Sequence, residues 1–177
     1  EGASTIYECV FQGNSTTSDG GAIRVYHDDA DITIEDSSFD GNQARTGSAI
    51  YQSEGDVTLN NCEITNNIST TRHGCLHLRD NDVAAIIEVS GCRFSGNETA
   101  VGCAGISGDA VVNLTVTDSV ICDHAQDGDI SIAYTDGGGN DLGNWCCPGD
   151  VDGDGDVDAD DLGTLLTGYG DASLDAD

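Results

Sequence analysis

Lysine is absent from this chain, and its five basic residues are all arginine. Against them stand 33 acidic residues, which gives a formal charge of −28. Nucleic-acid phosphates need a basic face, so nucleic acid is not an expected partner. Anionic membranes repel a surface of this sign, and the composition points to cations, calcium above all. Aromatic residues are only 5% of the chain. High charge with few aromatics is also the composition of disordered chains, but the regular apolar alternation described below argues against disorder. No run is long and apolar enough to cross a bilayer. No signal peptide is visible, and Glu1 is compatible with a mature end left after its removal. Cys-x-x-Cys pairs are missing, which weakens any zinc reading. The eight cysteines are even in number and dense. With this acidity they point to an oxidising, extracellular setting and to disulfides.

What is present is a repeated phrase. It reads Cys9-Val10-Phe11-Gln12-Gly13-Asn14, then Ser37-Ser38-Phe39-Asp40-Gly41-Asn42. It returns as Cys62-Glu63-Ile64-Thr65-Asn66-Asn67 and Cys92-Arg93-Phe94-Ser95-Gly96-Asn97. A worn fifth copy is Ser119-Val120-Ile121-Cys122-Asp123-His124. The anchors Phe11, Phe39, Ile64, Phe94 and Ile121 are 28, 25, 30 and 27 residues apart. A period of this size marks stacked units.

Each unit holds three strand-like pieces. The first alternates with period two: Ile32-Thr33-Ile34, Val57-Thr58-Leu59, Ile87-Glu88-Val89 and Leu114-Thr115-Val116. Apolar residues point in, and Thr or Glu points out. The second piece carries the Phe or Ile anchor. The third is Gly21–Val25, Ser48–Tyr51, Gly74–Leu78, Gly105-Ile106 and Ile130–Ile132. Glycine and asparagine lie between them, where the chain must turn. Three strands per coil describe an all-β, triangular parallel β-helix of about five coils over residues 1–145. The abundant Gly, Asp, Thr and Asn and the missing 3.6-residue period exclude helical repeats.

Phe-x-x-Asn followed by Gly-Gly-Ala-Ile resembles the repeat of polymorphic outer-membrane-type bacterial surface proteins. More broadly it resembles right-handed β-helix repeats of the pectate-lyase-like superfold, over roughly residues 4 to 135. The resemblance, with the rule for parallel crossovers, implies a right-handed helix. It implies little about activity, because that fold carries lyases, hydrolases, adhesins and tail spikes alike.

Stacking at about 4.8 Å turns equivalent residues into columns. Asn14, Asn42, Asn67, Asn97 and His124 form one, expected to be an internal amide ladder. Asn14, Asn67, Asn97 and Asn113 also lie in Asn-x-Ser/Thr sequons, which inward asparagines cannot use after folding. Cys62 and Cys92 share a position on successive coils, and Cys75 and Cys103 nearly do, so disulfides stapling coil to coil are expected. Cys122 is within reach of Cys146 or Cys147, and Cys9 either stays free or bonds another chain. Acids gather at corners: Asp28, Asp29 and Asp31, Glu54 and Asp56, Asp80 and Asp82, Asp109, Asp136 and Asp141. Such columns either bind calcium between coils or form a solvated acidic surface.

The sharpest local motif follows a linker at 146–149. It runs Asp150-Val151-Asp152-Gly153-Asp154-Gly155-Asp156-Val157-Asp158-Ala159-Asp160-Asp161. Carboxylates at loop positions 1, 3, 5, 9 and 12 surround a hard cation, Gly155 permits the sharp turn, and Asp156 offers its carbonyl. Ca²⁺ is therefore the expected cofactor, with Asp150, Asp152, Asp154, Asp156, Asp158 and Asp161 as ligands. Leu162, Leu165, Leu166 and Tyr169 follow at helical spacing, with Gly170 as a stop. Asp161 at position 12 and the following Leu-Leu helix make residues 150–177 resemble one repeat of a type I dockerin. That resemblance implies a cohesin-like partner. A dockerin normally has two such repeats, and this sequence holds one.

Pectin-degrading relatives of the fold use calcium-binding aspartates with an Arg base, or an Asn-Thr-Asp, Asp-Asp, Gly-His-Gly and Arg-Ile-Lys set. Asp28-Asp29 is the only partial match here. Arg24 and His77 lie outward on third strands of different coils, and short coils offer no long loops as groove walls. His27, His73, His77 and His124 form no catalytic pattern. The chain is therefore read as secreted and non-catalytic, structural or adhesive, extracellular or on the cell surface. Its first coil begins at Ser4 without a capping segment, so copies of the chain are expected to join end to end into filaments. A cohesin-binding surface module and a polysaccharide lyase-like enzyme are the competing readings.

Overall fold

The structure is a computed structural model that describes residues 3–27, 30–79, 85–108, 113–122 and 129–143. The first coil contributes β1 (Ser4–Tyr7), β2 (Val10–Gln12) and β3 (Ile23–Val25). The second contributes β4 (Ile32–Glu35), β5 (Ser38–Asp40), β6 (Gln43–Ala44) and β7 (Ile50–Gln52). The third has β8 (Val57–Asn60), β9 (Glu63–Thr65), β10 (Ile68–Ser69) and β11 (Leu76–Leu78). The fourth has β12 (Ile86–Ser90), β13 (Arg93–Ser95), β14 (Glu98–Thr99) and β15 (Ile106–Gly108). Beyond it lie β16 (Asn113–Thr117), β17 (Val120–Cys122), β18 (Thr135–Asp136) and β19 (Asp141–Gly143).

Every strand pairs in parallel with its equivalent one coil away. One sheet runs β1-β4-β8-β12-β16-β18 and a second runs β2-β5-β9-β13-β17-β19. The third-strand sheet is β3-β7-β11-β15. A short sheet, β6-β10-β14, stands where the sequence showed only a turn. The chain is thus an all-β parallel solenoid of about four turns, with no helix among its described residues.

The expected five coils are therefore too many. The third-strand sheet ends at β15, and only an isolated bridge between Ile106 and Ile130 continues it. That bridge is held by the Ile106 N–H donating to the Asp129 carbonyl at 2.8 Å and the Ser131 N–H to the Ile106 carbonyl at 3.0 Å. Further on, the chain turns again at Gly137-Gly138-Gly139. This is the turn between β18 and β19, which sit in register on β16 and β17. The calcium loop and helix at 150–177, the linker, Cys146, Cys147 and His124 lie outside the described residues.

The first-sheet alternation holds: Ile34, Leu59, Val89 and Val116 are buried, while Thr33, Thr58 and Thr115 are half-buried and Glu88 is exposed. The anchors Phe39, Ile64, Phe94 and Ile121 fill the core, and Phe11 stacks on Phe39 with ring centroids 4.7 Å apart. The repeated phrase is a pair of turns. At the first, a single residue takes the left-handed conformation: Glu8, Asp36, Asn61, Gly91, Asp118 and Gly139. At the second it is Gly13, Gly41, Asn66 or Gly96. One such residue turns the chain sharply but breaks local backbone pairing, so the next residue must supply a partner.

After the second turn that residue is asparagine. Asn14, Asn42 and Asn67 each donate Nδ2 to Oδ1 of the next asparagine, at 2.8, 2.9 and 2.9 Å. The same Oδ1 atoms accept the backbone N–H of Asn14, Asn42 and Asn67. Each inner Nδ2 also reaches back to the carbonyl of Phe11, Phe39 or Ile64. Asn42, Asn67 and Asn97 are fully buried, so the amide ladder is internal.

The first turn uses a different column: Cys9, Ser37, Cys62, Cys92, Ser119 and Asn140. Ser37 Oγ accepts the N–H of Cys9, Cys92 Sγ that of Cys62, and Ser119 Oγ that of Cys92. Asn140 Oδ1 accepts the N–H of Ser119. Ser37 and Ser119 hydroxyls donate to the carbonyl two residues back, and the Cys62 and Cys92 thiols do the same. Cysteine and serine thus fill one role.

This corrects the expected staples. Cys9, Cys62, Cys75, Cys92 and Cys103 are free thiols. Residues in register on parallel strands keep their Cβ atoms about 4.8 Å apart, beyond the roughly 3.8 Å a disulfide favours. Burial pushes the Cys75 thiol up and the Cys103 thiol to about 11, so neither is reactive at neutral pH. Cys122 is disulfide-bonded.

Two predictions follow from these columns. Asn67→Ala removes a buried amide with partners on both neighbouring coils and should destabilise the fold by about 3 kcal/mol or more, read by denaturant unfolding. Asn14→Ala, at an exposed position with one neighbouring coil, should cost under about 1 kcal/mol. Cys62→Ser and Cys92→Ser should each stay within about 1 kcal/mol of the parent. Thiol titration in denaturant without reductant should count both cysteines as free.

Candidate functional site

The corner acids act largely on the backbone. Asp31 Oδ1 accepts the N–H of Asp56 at 3.3 Å, and Asp56 Oδ1 accepts that of Ile86 at 2.7 Å. Asp136 Oδ1 accepts from Gly138 N–H and Asn140 Nδ2. Asp141 opens β19. Among the described residues, no three His, Cys, Asp or Glu side chains converge as metal ligands. Asp28, Asp29, Asp80, Asp82 and Asp109 lie outside those residues, as do Asp150, Asp152, Asp154, Asp156, Asp158 and Asp161.

The chemistry that is concentrated lies on the third-strand sheet. Arg24 on β3, Tyr51 on β7, His77 on β11 and Ser107 on β15 stand in register as one column. Tyr51 and His77 are buried although their flanking core residues point the other way. Thr46 and Thr71 lie in the turns that cover them. These turns stack as well: Asp19 bridges Thr46, and Thr71 Oγ1 donates to the Arg45 carbonyl at 2.7 Å. The result is a cleft of about 280 Å³ lined by Asp19, Arg45, Thr46, Tyr51, Thr71, Arg72, His73, His77 and Arg79. Its lining comes from short turns and strands of three coils, with no long loop.

Gly74 and His73 set the floor. A Cβ on Gly74 would meet the Gly105 carbonyl oxygen at 2.0 Å, so only glycine lets the coils approach there. His73 has φ of 67°, where the two preceding coils use Gly20 and Gly47. A side chain in this conformation is uncommon and marks a position worth functional attention. It places the His73 ring 4.2 Å from that of His77. His77 Nδ1 lies 3.1 Å from Ser107 Oγ, and Tyr51 is 5.4 Å from His77.

Charge is gathered in the same place. Arg45 grips Asp19 with two parallel bonds, Nε to Oδ1 at 2.9 Å and Nη2 to Oδ2 at 2.8 Å. Those bonds, with the nearby charges of Arg45, Arg24 and His77, hold the Asp19 carboxyl below the usual aspartate range against the opposing effect of burial. Arg24 lies over the rings of Tyr26 and Tyr51, at 5.0 and 5.4 Å. Arg79 Nη1 donates to Tyr51 Oη at 3.5 Å. Sequence reading singled out Arg24 and His77 as outward residues. It missed Arg45, Arg72 and Arg79, because they sit in or beside turns whose lengths differ from coil to coil.

Residues 8–26 match the Chlamydia polymorphic membrane protein (Chlamydia_PMP) repeat. That segment carries Cys9, Phe11, Gly13 and Asn14, and it ends through β3. No curated protein and no solved structure matches the chain. The repeat match and the fold together make this a parallel β-helix repeat protein.

The Asp19 fork has a pH signature. Its folded pKa is depressed, so its contribution is present above the unfolded value near 3.9 and is lost as pH falls through the lower folded value. Carboxyl NMR titration should place Asp19 below 3.9, and Arg45→Gln should return it toward that value.

Proposed function

We propose that this chain is a non-catalytic structural or adhesive protein of the cell surface or extracellular space, stiffened by calcium at Asp150–Asp161, whose copies join end to end. The observation that carries this reading is the uniform nearest-neighbour bonding of the coils. Both side-chain columns and all four sheets are extended by adding one more equivalent coil, and such a stack is stiff and additive. Tyr7 and Val10 are 54% and 73% exposed, an apolar surface available to a second copy. The similarity of residues 8–26 to a polymorphic membrane protein repeat supports a surface location.

The aspartate loop favours a second reading, calcium-dependent docking on a cohesin-like partner. In the first reading calcium acts on a single assembly; in the second it switches binding to a different protein.

Negative-stain microscopy with calcium should show filaments many coils long, and a chelator should shorten them. Val10→Asp should abolish them while leaving the circular dichroism spectrum unchanged. Monomers at every protein and calcium concentration overturn the assembly reading. Calcium-dependent capture of a cohesin by such monomers would establish the second.

A further inference from the structure

We infer that the paired thiols of Cys62 and Cys92 form a two-coordinate site for one soft monovalent cation, Cu(I). The inference depends neither on end-to-end assembly nor on the aspartate loop. It starts from the column at the first turn. From Cys9 to Ser119 that column reads Cys9, Ser37, Cys62, Cys92, Ser119, and only Cys62 and Cys92 place sulfur on adjacent coils. Serine meets the needs of the turn at Ser37 and Ser119, so the turn itself does not call for sulfur. Two consecutive cysteines are left to be explained by chemistry that serine lacks.

The two thiols repeat one another. They immediately precede Glu63 and Arg93, which pair in register. Each Sγ lies 3.3 Å from the carbonyl oxygen two residues back, that of Asn60 or Ser90. Each also lies 3.5 Å from a carbonyl oxygen one coil earlier, that of Ile34 or Leu59. Matching contacts fix matching side-chain directions, so the sulfurs are offset by one coil, about 4.8 Å. A sulfur–sulfur bond of about 2.0 Å does not span that gap without backbone movement. A metal ion does, because two thiolate bonds of about 2.3 Å reach about 4.6 Å end to end. Cys62 N–H donates to Cys92 Sγ at 3.4 Å, which favours a thiolate there. The Asn60 and Ser90 carbonyls keep the N–H groups of Asp36 and Asn61 when the thiol protons leave.

The ligand set selects the ion. Calcium needs a cage of oxygens, and structural zinc needs a tetrahedron of ligands. Among the described residues, no third His, Cys, Asp or Glu joins the pair. Two soft thiolates in line suit Cu(I), which thiolates prefer and which accepts linear coordination. Two S–H bonds are exchanged for two Cu–S bonds, both protons go to solvent, and no electron moves. Both cysteines are 1% exposed, so water does not compete as a ligand. Entry is offered by a surface hollow of about 390 Å³ beside the column, lined by Glu8, Cys9, Asp36, Ser37, Asn61 and Glu63 among others. Asn61 and Glu63 flank Cys62 in the chain. The carboxylates of Glu8, Asp36 and Glu63, on a chain of charge −28, raise the local concentration of cations at that hollow.

The test is titration of the full chain with acetonitrile-stabilised Cu(I) under nitrogen, without added reductant, in competition with a colour-forming Cu(I) chelator. The parent should retain one equivalent that Cys62→Ser and Cys92→Ser each lose, with affinity for that equivalent falling at least tenfold. Cys75→Ser with Cys103→Ser should retain it. X-ray absorption at one equivalent should show two sulfur neighbours, and that equivalent should raise the melting temperature of the parent but of neither serine variant at position 62 or 92. Zinc at the same concentration should leave the melting temperature unchanged. Absence of tight uptake, equal uptake by the parent and both single variants, or three or more sulfur neighbours would each overturn the assignment. Circular dichroism checks that the variants fold. If they do not, the Cβ resonances of Cys62 and Cys92 in the parent carry the test: both should shift with the first equivalent of Cu(I), and unmoved resonances overturn the site.

Discussion

The buried amide row is the constraint on which the rest of the structure depends. A coil closed by single left-handed residues leaves backbone groups without partners inside the stack. Leaving such groups unpaired costs about 1–3 kcal/mol each, and the cost recurs on every coil. Asparagine meets it because one side chain both donates and accepts, so it can bond the coil on either side at once. Asn42 and Asn67 do this at zero exposure. The core anchors Phe39, Ile64 and Phe94 add apolar burial, but the ladder fixes their register. A slip of one residue would move each anchor to the outer face and break every rung.

This explains why the fold was legible and parts of the site were not. Period-two alternation and the asparagine column follow local rules that each coil repeats, so strands and ladder are readable from the residues alone. The cysteines misled because their spacing reports only that they stack. The serines at Ser37 and Ser119 were the corrective signal: a column that mixes Cys with Ser needs a small donor–acceptor and not a covalent bond. The coil count failed where third-strand pairing gives out, at Ile130–Ile132. The cleft was hardest to read. Arg45, Arg72 and Arg79 come together through turns of unequal length, and no periodic pattern aligns them.

Charge and architecture serve different ends in this molecule. The negative surface keeps the rod soluble and repels other copies at long range. At short range, guanidinium groups gather on the third-strand face: Arg45 on Asp19, Arg24 over Tyr26 and Tyr51, and Arg79 on the Tyr51 hydroxyl. A parallel solenoid allows such a gathering because side chains from successive coils are brought within about 5 Å of one another whatever their distance in sequence. One substitution per coil is enough to write a site across the outer face without disturbing the interior.

The amide row also has a direction. Asn14, Asn42 and Asn67 each pass a side-chain N–H to the amide oxygen of the next asparagine, and no amide-to-amide bond among them runs the other way. One end of the stack is therefore an acceptor end and the other a donor end. Two such ends of the same kind would set oxygen against oxygen or hydrogen against hydrogen. Through this row, two molecules can match only when they face the same way along the axis, so any fibre built on it is polar and its two tips are chemically different.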